Sequence, residues 1–186
     1  MQQLSDLGWR FFDPPNIGEA AEPNFCGRSA SFSCGAALRI SLHVNEQQRI
    51  TEARFKAAGC SVLVATASQL TEQVTGMTTG EAALVGQSVC KAVSGPDDDR
   101  AECVALASAA LLSAITQYSD SVRDEWNGDD VLICTCFGVS EKTIEHEIQT
   151  NQLRTIAEVT RACNAGAGCR SCYPLIEDII EEVNRE

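Results

Sequence analysis

The stretch "CGAALRISLHVNEQQRITEARFKAAGC" (residues 34–60) is bounded by two cysteines and reads as two strands joined by a turn. Ala36, Leu38, Ile40, Leu42 and Val44 alternate with Arg39, Ser41 and His43, the period of a strand with one buried face. Residues 45–48, "NEQQ", make the turn. Ala53 and Phe55 then alternate with Glu52, Arg54 and Lys56. Beyond Gly59 and Cys60 the period becomes helical: Leu63, Ala67, Leu70 and Val74 share one face, and Gly76 ends the helix. Thr78, with Glu81 three residues on, marks another helix start. After "GPDDD", Val104, Ala107, Leu111, Ala114 and Tyr118 line the inner face of a long helix whose N-terminus favours the acidic run. These patterns predict an α+β fold, a small antiparallel sheet with packed helices.

Outward from this region, "SDSVRDEWNGDD" (119–130) is polar and acidic and reads as a linker. The second half is helical. Ser140 caps "EKTIEHEI", Thr155 and Glu158 form a capping box for "IAEVTRAC", and Pro174 opens "PLIEDIIEEV". The expected organisation is a first domain over 1–122, a linker over 123–130 and a small all-α domain over 131–186. A domain of under ~70–80 residues usually needs a staple beyond its apolar core.

The chain has 186 residues and a formal net charge of −12. That charge argues against nucleic-acid and anionic-membrane partners, both of which call for a basic face. The N-terminal residues do not read as a signal peptide, and no apolar run approaches the ~18 residues that span a bilayer. A soluble, cytoplasmic protein is expected. Ten cysteines then need a reason, and in a reducing compartment clustered cysteines are metal ligands or redox groups more often than disulfides. With only two histidines, His43 and His146, any metal site must be built mostly of thiolate.

Cys134 and Cys136 form a C-x-C pair. After thirty-two intervening residues, Cys169 and Cys172 form a C-x-x-C pair, preceded by "AGAG". Both pairs lie beside helix starts, and glycines let backbone N–H groups approach closely. Four thiolates suit a [2Fe-2S] cluster or a tetrahedral zinc. In the first half, Cys34 begins a strand, Cys60 sits at a strand-to-helix turn and Cys103 lies in the first turns of a helix. Element ends are edges where thiolates can converge without burying charge; the alternative is three small core residues. Cys26 lies in a Gly/Ser loop and is a further candidate ligand or persulfide carrier. Cys163 faces the inside of its helix near Cys169. Cys90 reads as a half-buried helix residue, and both histidines as solvent-facing.

"ICTCFGVSEKTIEHEI" followed by "GAGCRSC" resembles the bacterioferritin-associated-ferredoxin-like domain. The resemblance implies a permanent [2Fe-2S] cluster on Cys134, Cys136, Cys169 and Cys172. Over roughly 10–118, "FDPPNIGEA", "CGAALRISLHV", "ITEARFKAAGCS" and "ECVALASAALLSAI" resemble the U-type iron–sulfur scaffold, the IscU-like domain that opens NifU proteins. Together the halves look like NifU without its third domain. The resemblance implies a non-enzymatic scaffold that assembles a labile [2Fe-2S] or [4Fe-4S] cluster on Cys34, Cys60 and Cys103. A cysteine desulfurase would supply sulfur, apo iron–sulfur proteins would receive the cluster, and the chain could form a homo-oligomer. The sequence departs from the family pattern at Ala36, where the family has Asp, and at Glu102, where it has His. It also lacks the Leu-Pro-Pro-Val-Lys stretch before Cys103 that a chaperone reads. The fourth ligand is therefore open to Glu102, Cys26, His43, water or another subunit. The competing reading is an electron-transfer or redox-sensing [2Fe-2S] protein with a degenerate scaffold domain.

Overall fold

The computed structural model describes residues 12–92, 101–125 and 130–185. It divides into two compact units between Gln117 and Tyr118. The first contains strands β1 (Phe25–Ala30), β2 (Ala37–Val44) and β3 (Ile50–Ala58), helices α1 (Ser61–Val74) and α2 (Thr79–Ala92), and most of α3 (Ala101–Glu125). The strands form one antiparallel sheet in the order β1-β2-β3.

The alternation in β2 and β3 sets which face is buried. Leu38, Ile40, Leu42, Ala53 and Phe55 are buried, together with Leu63, Ala67, Leu70 and Val74 of α1. Gln48 takes a left-handed φ of 59° and donates its N–H to Asn45 O at 3.0 Å, which closes the expected turn. Thr78 and Glu81 form a reciprocal cap on α2, with Glu81 N–H to Thr78 Oγ1 at 3.2 Å and Thr78 N–H to Glu81 Oε2 at 2.9 Å. Segment 16–18 runs along β3, where Gly18 N–H donates to Phe55 O at 2.8 Å.

β1 is the element that the sequence pattern does not announce. The expected loop around Cys26 is instead a strand, with Cys26 opposite Ser41 and Gly27 opposite Ile40. Its closeness to α3 depends on Gly27: a Cβ there would fall 1.8 Å from Ala110 O and 2.4 Å from Ala114 N. Ser29 Oγ also donates to Leu106 O of α3 at 2.7 Å. Cys34, expected to begin β2, lies in the turn before it.

Two further expectations change. Residues 119–125 are not linker but the continuation of α3. They are polar but contain no Gly or Pro, and Arg123 pairs with Asp120 one turn back, so nothing breaks the helical period. The span Ala101–Asp124 is also long and apolar enough, by length and composition, to cross a bilayer. Its Leu106, Ala107, Ala110, Leu111 and Ala114 are buried in the protein itself. The acidic run before α3 lies outside the described residues.

The second unit is helical, with α4 (Glu141–Asn151), α5 (Ile156–Cys163) and α6 (Tyr173–Val183), plus a short ladder of β4 (Leu132–Cys134) and β5 (Val139–Ser140). Ser140 caps α4, Thr155 and Glu158 form the full capping box on α5, and Pro174 lies in the first turn of α6. Ile144, Ile148, Val159 and Ile176 lie fully buried in the small core, with Phe137, Val139, Ile179 and Ile180 around them.

Candidate functional site

In the first unit, three chain positions far apart in sequence bring thiols to one end of the sheet. Cys60 follows β3 as the N-cap of α1, and its Sγ accepts from Leu63 N–H at 3.4 Å. Cys103, in the first turn of α3, places its Sγ 2.9 Å from that of Cys60. Cys34 is exposed in the β1–β2 turn, close enough to influence the Cys103 thiol electrostatically. Burial opposes ionisation of Cys60, but the Cys103 thiol and the N–H groups of Leu63 and Val62 outweigh it and hold Cys60 below the ordinary thiol range. Burial first, then the neighbouring Cys60, Cys34 and Glu102, pushes Cys103 up to about 12. Of the two, Cys60 is the more readily ionised and Cys103 the less. The pair combines a nucleophile with a second ligand that needs a metal to deprotonate it.

The other candidates separate clearly. Glu102 lies beside Cys103, and its Oε1 accepts from Ser31 Oγ and, at 2.8 Å, from Ser33 Oγ. These two hydroxyls hold its carboxyl below the usual carboxylate range. Cys26 is elsewhere. It lies four residues down β1 from Ala30, about 13 Å along the strand. There Arg39 Nη2 donates to its Sγ at 3.3 Å. His43 Nδ1 lies 2.6 Å from Glu22 O. Ala36 is buried, and a Cβ on Gly59 would lie 3.0 Å from its Cβ, so it abuts the turn that carries Cys60. Sequence reasoning did not find Ser31 and Ser33; the only signal for them is that they flank Phe32 just before Cys34.

In the second unit the four expected cysteines come together as two pairs of sulfurs. Cys136 Sγ is 3.4 Å from Cys169 Sγ, and Cys172 is hydrogen-bonded with Cys134. Among the described residues no three such side chains converge as a single-ion site. The loop from Asn164 to Gly168 wraps the sulfurs in backbone. Asn164 ends α5 with a left-handed φ of 61°, and Gly166 N–H lies 3.5 Å from Cys134 Sγ. A Cβ on Gly168 would fall 2.8 Å from Cys136 Cβ, so only glycine allows the chain to pass. Ser171 Oγ is 3.0 Å from Cys169 Sγ. With the Ser171 N–H and Cys136, it lowers Cys169 to about 7. Burial, then Cys134, raises Cys172 to about 12. Burial also dominates the rise at Cys136. An all-sulfur donor set in two pairs, lined by N–H groups, fits a [2Fe-2S] cluster, whose net negative charge such donors stabilise. Cys163 stays apart as a buried core thiol, its Sγ 3.3 Å from Val159 O, and is raised by burial to about 11. His146 is exposed on α4, and the Cys90 side chain lies outside the described residues.

Residues 7–124 match the family model described as NifU-like N terminal domain. Residues 132–182 match the BFD-like [2Fe-2S] binding domain. Nitrogen fixation protein NifU of Nostoc sp. is 36% identical over 183 residues, covering 93% of this chain and 61% of that protein. Iron–sulfur cluster assembly scaffold protein IscU 1 of Archaeoglobus fulgidus is 31% identical over 109 residues, covering 58% of this chain and 71% of that protein. The chain thus spans about 61% of the length of the Nostoc relative. The crystal structure of FiSufU from Fervidobacterium islandicum AW-1, a putative iron–sulfur cluster assembly scaffold protein, shares the fold of part of the chain. Its TM-score is 0.53 at 17% identity, over 59% of this chain and 93% of that one.

Proposed function

The chain belongs to the NifU-like N-terminal domain family, and on that premise we propose that it is an iron–sulfur cluster assembly scaffold with a labile site in its first domain and a permanent [2Fe-2S] cluster in its second. The observation that carries the reading is the 2.9 Å approach of Cys60 and Cys103 beside exposed Cys34. The protein acts as a carrier and not as an enzyme. It is soluble and cytoplasmic.

The labile cluster is cargo. Cys34, Cys60 and Cys103 hold it as three thiolates, which leaves one iron position for an exchangeable ligand. The Cys60 thiolate is the group best prepared to accept sulfur from the persulfide of a cysteine desulfurase. It forms a new S–S bond to the terminal sulfur as the donor's S–S bond breaks, and the donor leaves as its own thiolate. The number of electrons on sulfur is conserved in that step. Delivery to an apo iron–sulfur protein is ligand exchange, in which target thiolates replace these three in turn. In the second domain, Cys134, Cys136, Cys169 and Cys172 hold the permanent cluster, which supplies one-electron chemistry when bound. Gly166 and the Ser171 hydroxyl donate to the sulfurs, of which Cys134 and Cys172 are buried and Cys169 is exposed.

The test is anaerobic reconstitution of the full chain, with iron and sulfide counts, a visible spectrum and cluster transfer to an apo-ferredoxin followed by circular dichroism. Wild type should hold clusters in both domains and transfer one. Cys34→Ser should keep the second-domain spectrum and lose transfer. Equal transfer by wild type and Cys34→Ser would overturn the scaffold reading in favour of electron transfer. One zinc and no sulfide in the second domain would overturn the permanent cluster.

A further inference from the structure

The turn between β1 and β2 is tied to α3 by side chains that no thiol chemistry requires. Ser31 N–H donates to Ala36 O at 2.8 Å and closes the base of the turn. Within it, the hydroxyls of Ser31 and Ser33 lie 2.7 Å apart on either side of Phe32. Both reach the same oxygen of Glu102, 71 and 69 residues away in sequence. The placement is specific: Ser33 immediately precedes Cys34, and Glu102 immediately precedes Cys103. The tie thus joins the residues next to two of the three thiols. It also leaves Phe32, between the two held serines, fully exposed at the turn's tip.

We propose that Glu102 is a positioning residue, a latch that through Ser31 and Ser33 holds the Cys34 turn against the start of α3 and keeps the three thiols together before any iron arrives. This rests on the reading of Cys34, Cys60 and Cys103 as a shared site. Two donors on one carboxylate oxygen are charge-assisted hydrogen bonds, stronger than neutral ones and fixed in direction. An exposed six-residue turn has little else to order it, since only Ser31 and Ala36 within it are buried. Glu102 serves this role with its oxygen engaged by hydroxyls, not by iron.

The test uses the reduced, cluster-free full chain, so that failure of the scaffold reading leaves it unaffected. Hydrogen exchange of the amides over 31–37 is followed by mass spectrometry, with the amides of β2 and β3 as the internal control for folding. Glu102→Ala and the double variant Ser31→Ala/Ser33→Ala should each speed exchange in the turn by about tenfold or more, the scale of losing charge-assisted bonds. The triple variant should be no faster than either, because the three side chains act as one unit. Glu102→Gln keeps a carbonyl acceptor for both hydroxyls and should restore most of the protection. If Glu102→Ala alters the turn's exchange while the double serine variant does not, Glu102 acts by another route and the latch is overturned. Unchanged exchange in both would overturn it equally. Should Glu102→Ala unfold the control strands, the serine pair and Glu102→Gln decide alone.

Discussion

At the scale of single residues, each group of thiols pairs a member shifted towards the thiolate with one held back from it, and the cause lies in the first atoms around each sulfur. Cys169 is exposed and surrounded by donors, so its thiolate is stabilised to about 7. A free cysteine titrates near ~8.5. The thiolate is the species that reacts, so a lowered value moves the onset of reactivity to lower pH. Iodoacetamide labelling of Cys169 in cluster-free protein should therefore rise with a midpoint near pH 7. Ser171→Ala should move that midpoint upward. A wild-type midpoint at or above ~8.5 would contradict the assignment. Ala36 poses a different test. It is buried against the turn that carries Cys60, with no room for a solvated carboxylate. Ala36→Asp places a hard oxygen ligand, or a costly buried charge, beside the thiols. The variant should lose and transfer its first-domain cluster faster than wild type, as followed by circular dichroism; equal or slower rates would refute this.

At the scale of elements, the first unit depends on a backbone-to-backbone approach between β1 and α3. Gly27 makes it possible, because a methyl group there would occupy the space of Ala110 O. Gly27→Ala must push the strand and the helix apart, and overpacking of this kind typically costs on the order of 3 kcal/mol. Urea unfolding should show a loss of that order with β2 and β3 still able to pair; a change below ~0.5 kcal/mol would show that the approach is not required. The same displacement would carry Cys103 away from Cys60, because α3 holds one and the β3–α1 turn the other. The caps of α2, α4 and α5 are local by contrast. Each is completed by residues within three positions of its own helix start, which is why the sequence pattern locates them.

At the scale of the whole molecule, two compact units carry two sets of thiols that differ in their support. The first unit has a three-stranded sheet and helices around its site. The second rests on a handful of buried side chains, among them Ile144, Ile148, Val159 and Ile176. A small domain of this kind gains much of its stability from the centre its ligands hold. Cys172→Ser should remove the second-domain chromophore and speed hydrogen exchange through α4, α5 and α6, while β1, β2 and β3 keep wild-type protection. Exchange in α4–α6 unchanged after cluster loss would show that the apolar core suffices alone.

The sequence by itself determined the periodic features: the alternation of β2 and β3, the helical faces, the three caps and the C-x-C and C-x-x-C spacing. Each is encoded within a few residues, where backbone geometry and side-chain period act directly. It misread 119–125 as linker, because polarity there reflects a solvated helix face and not a break in the helix. It placed Cys26 in a loop, because a strand containing Gly27 shows no alternation and forms only once β2 offers a partner. Only the tertiary structure decided which thiols meet. Cys60 and Cys103 are 43 residues apart and touch because β3 ends and α3 begins at the same edge of the unit. Glu102 finds Ser31 and Ser33 across some 70 residues for the same reason. Contacts of that separation leave no local pattern in a chain, since they follow from how the buried faces pack and not from the period of any one element.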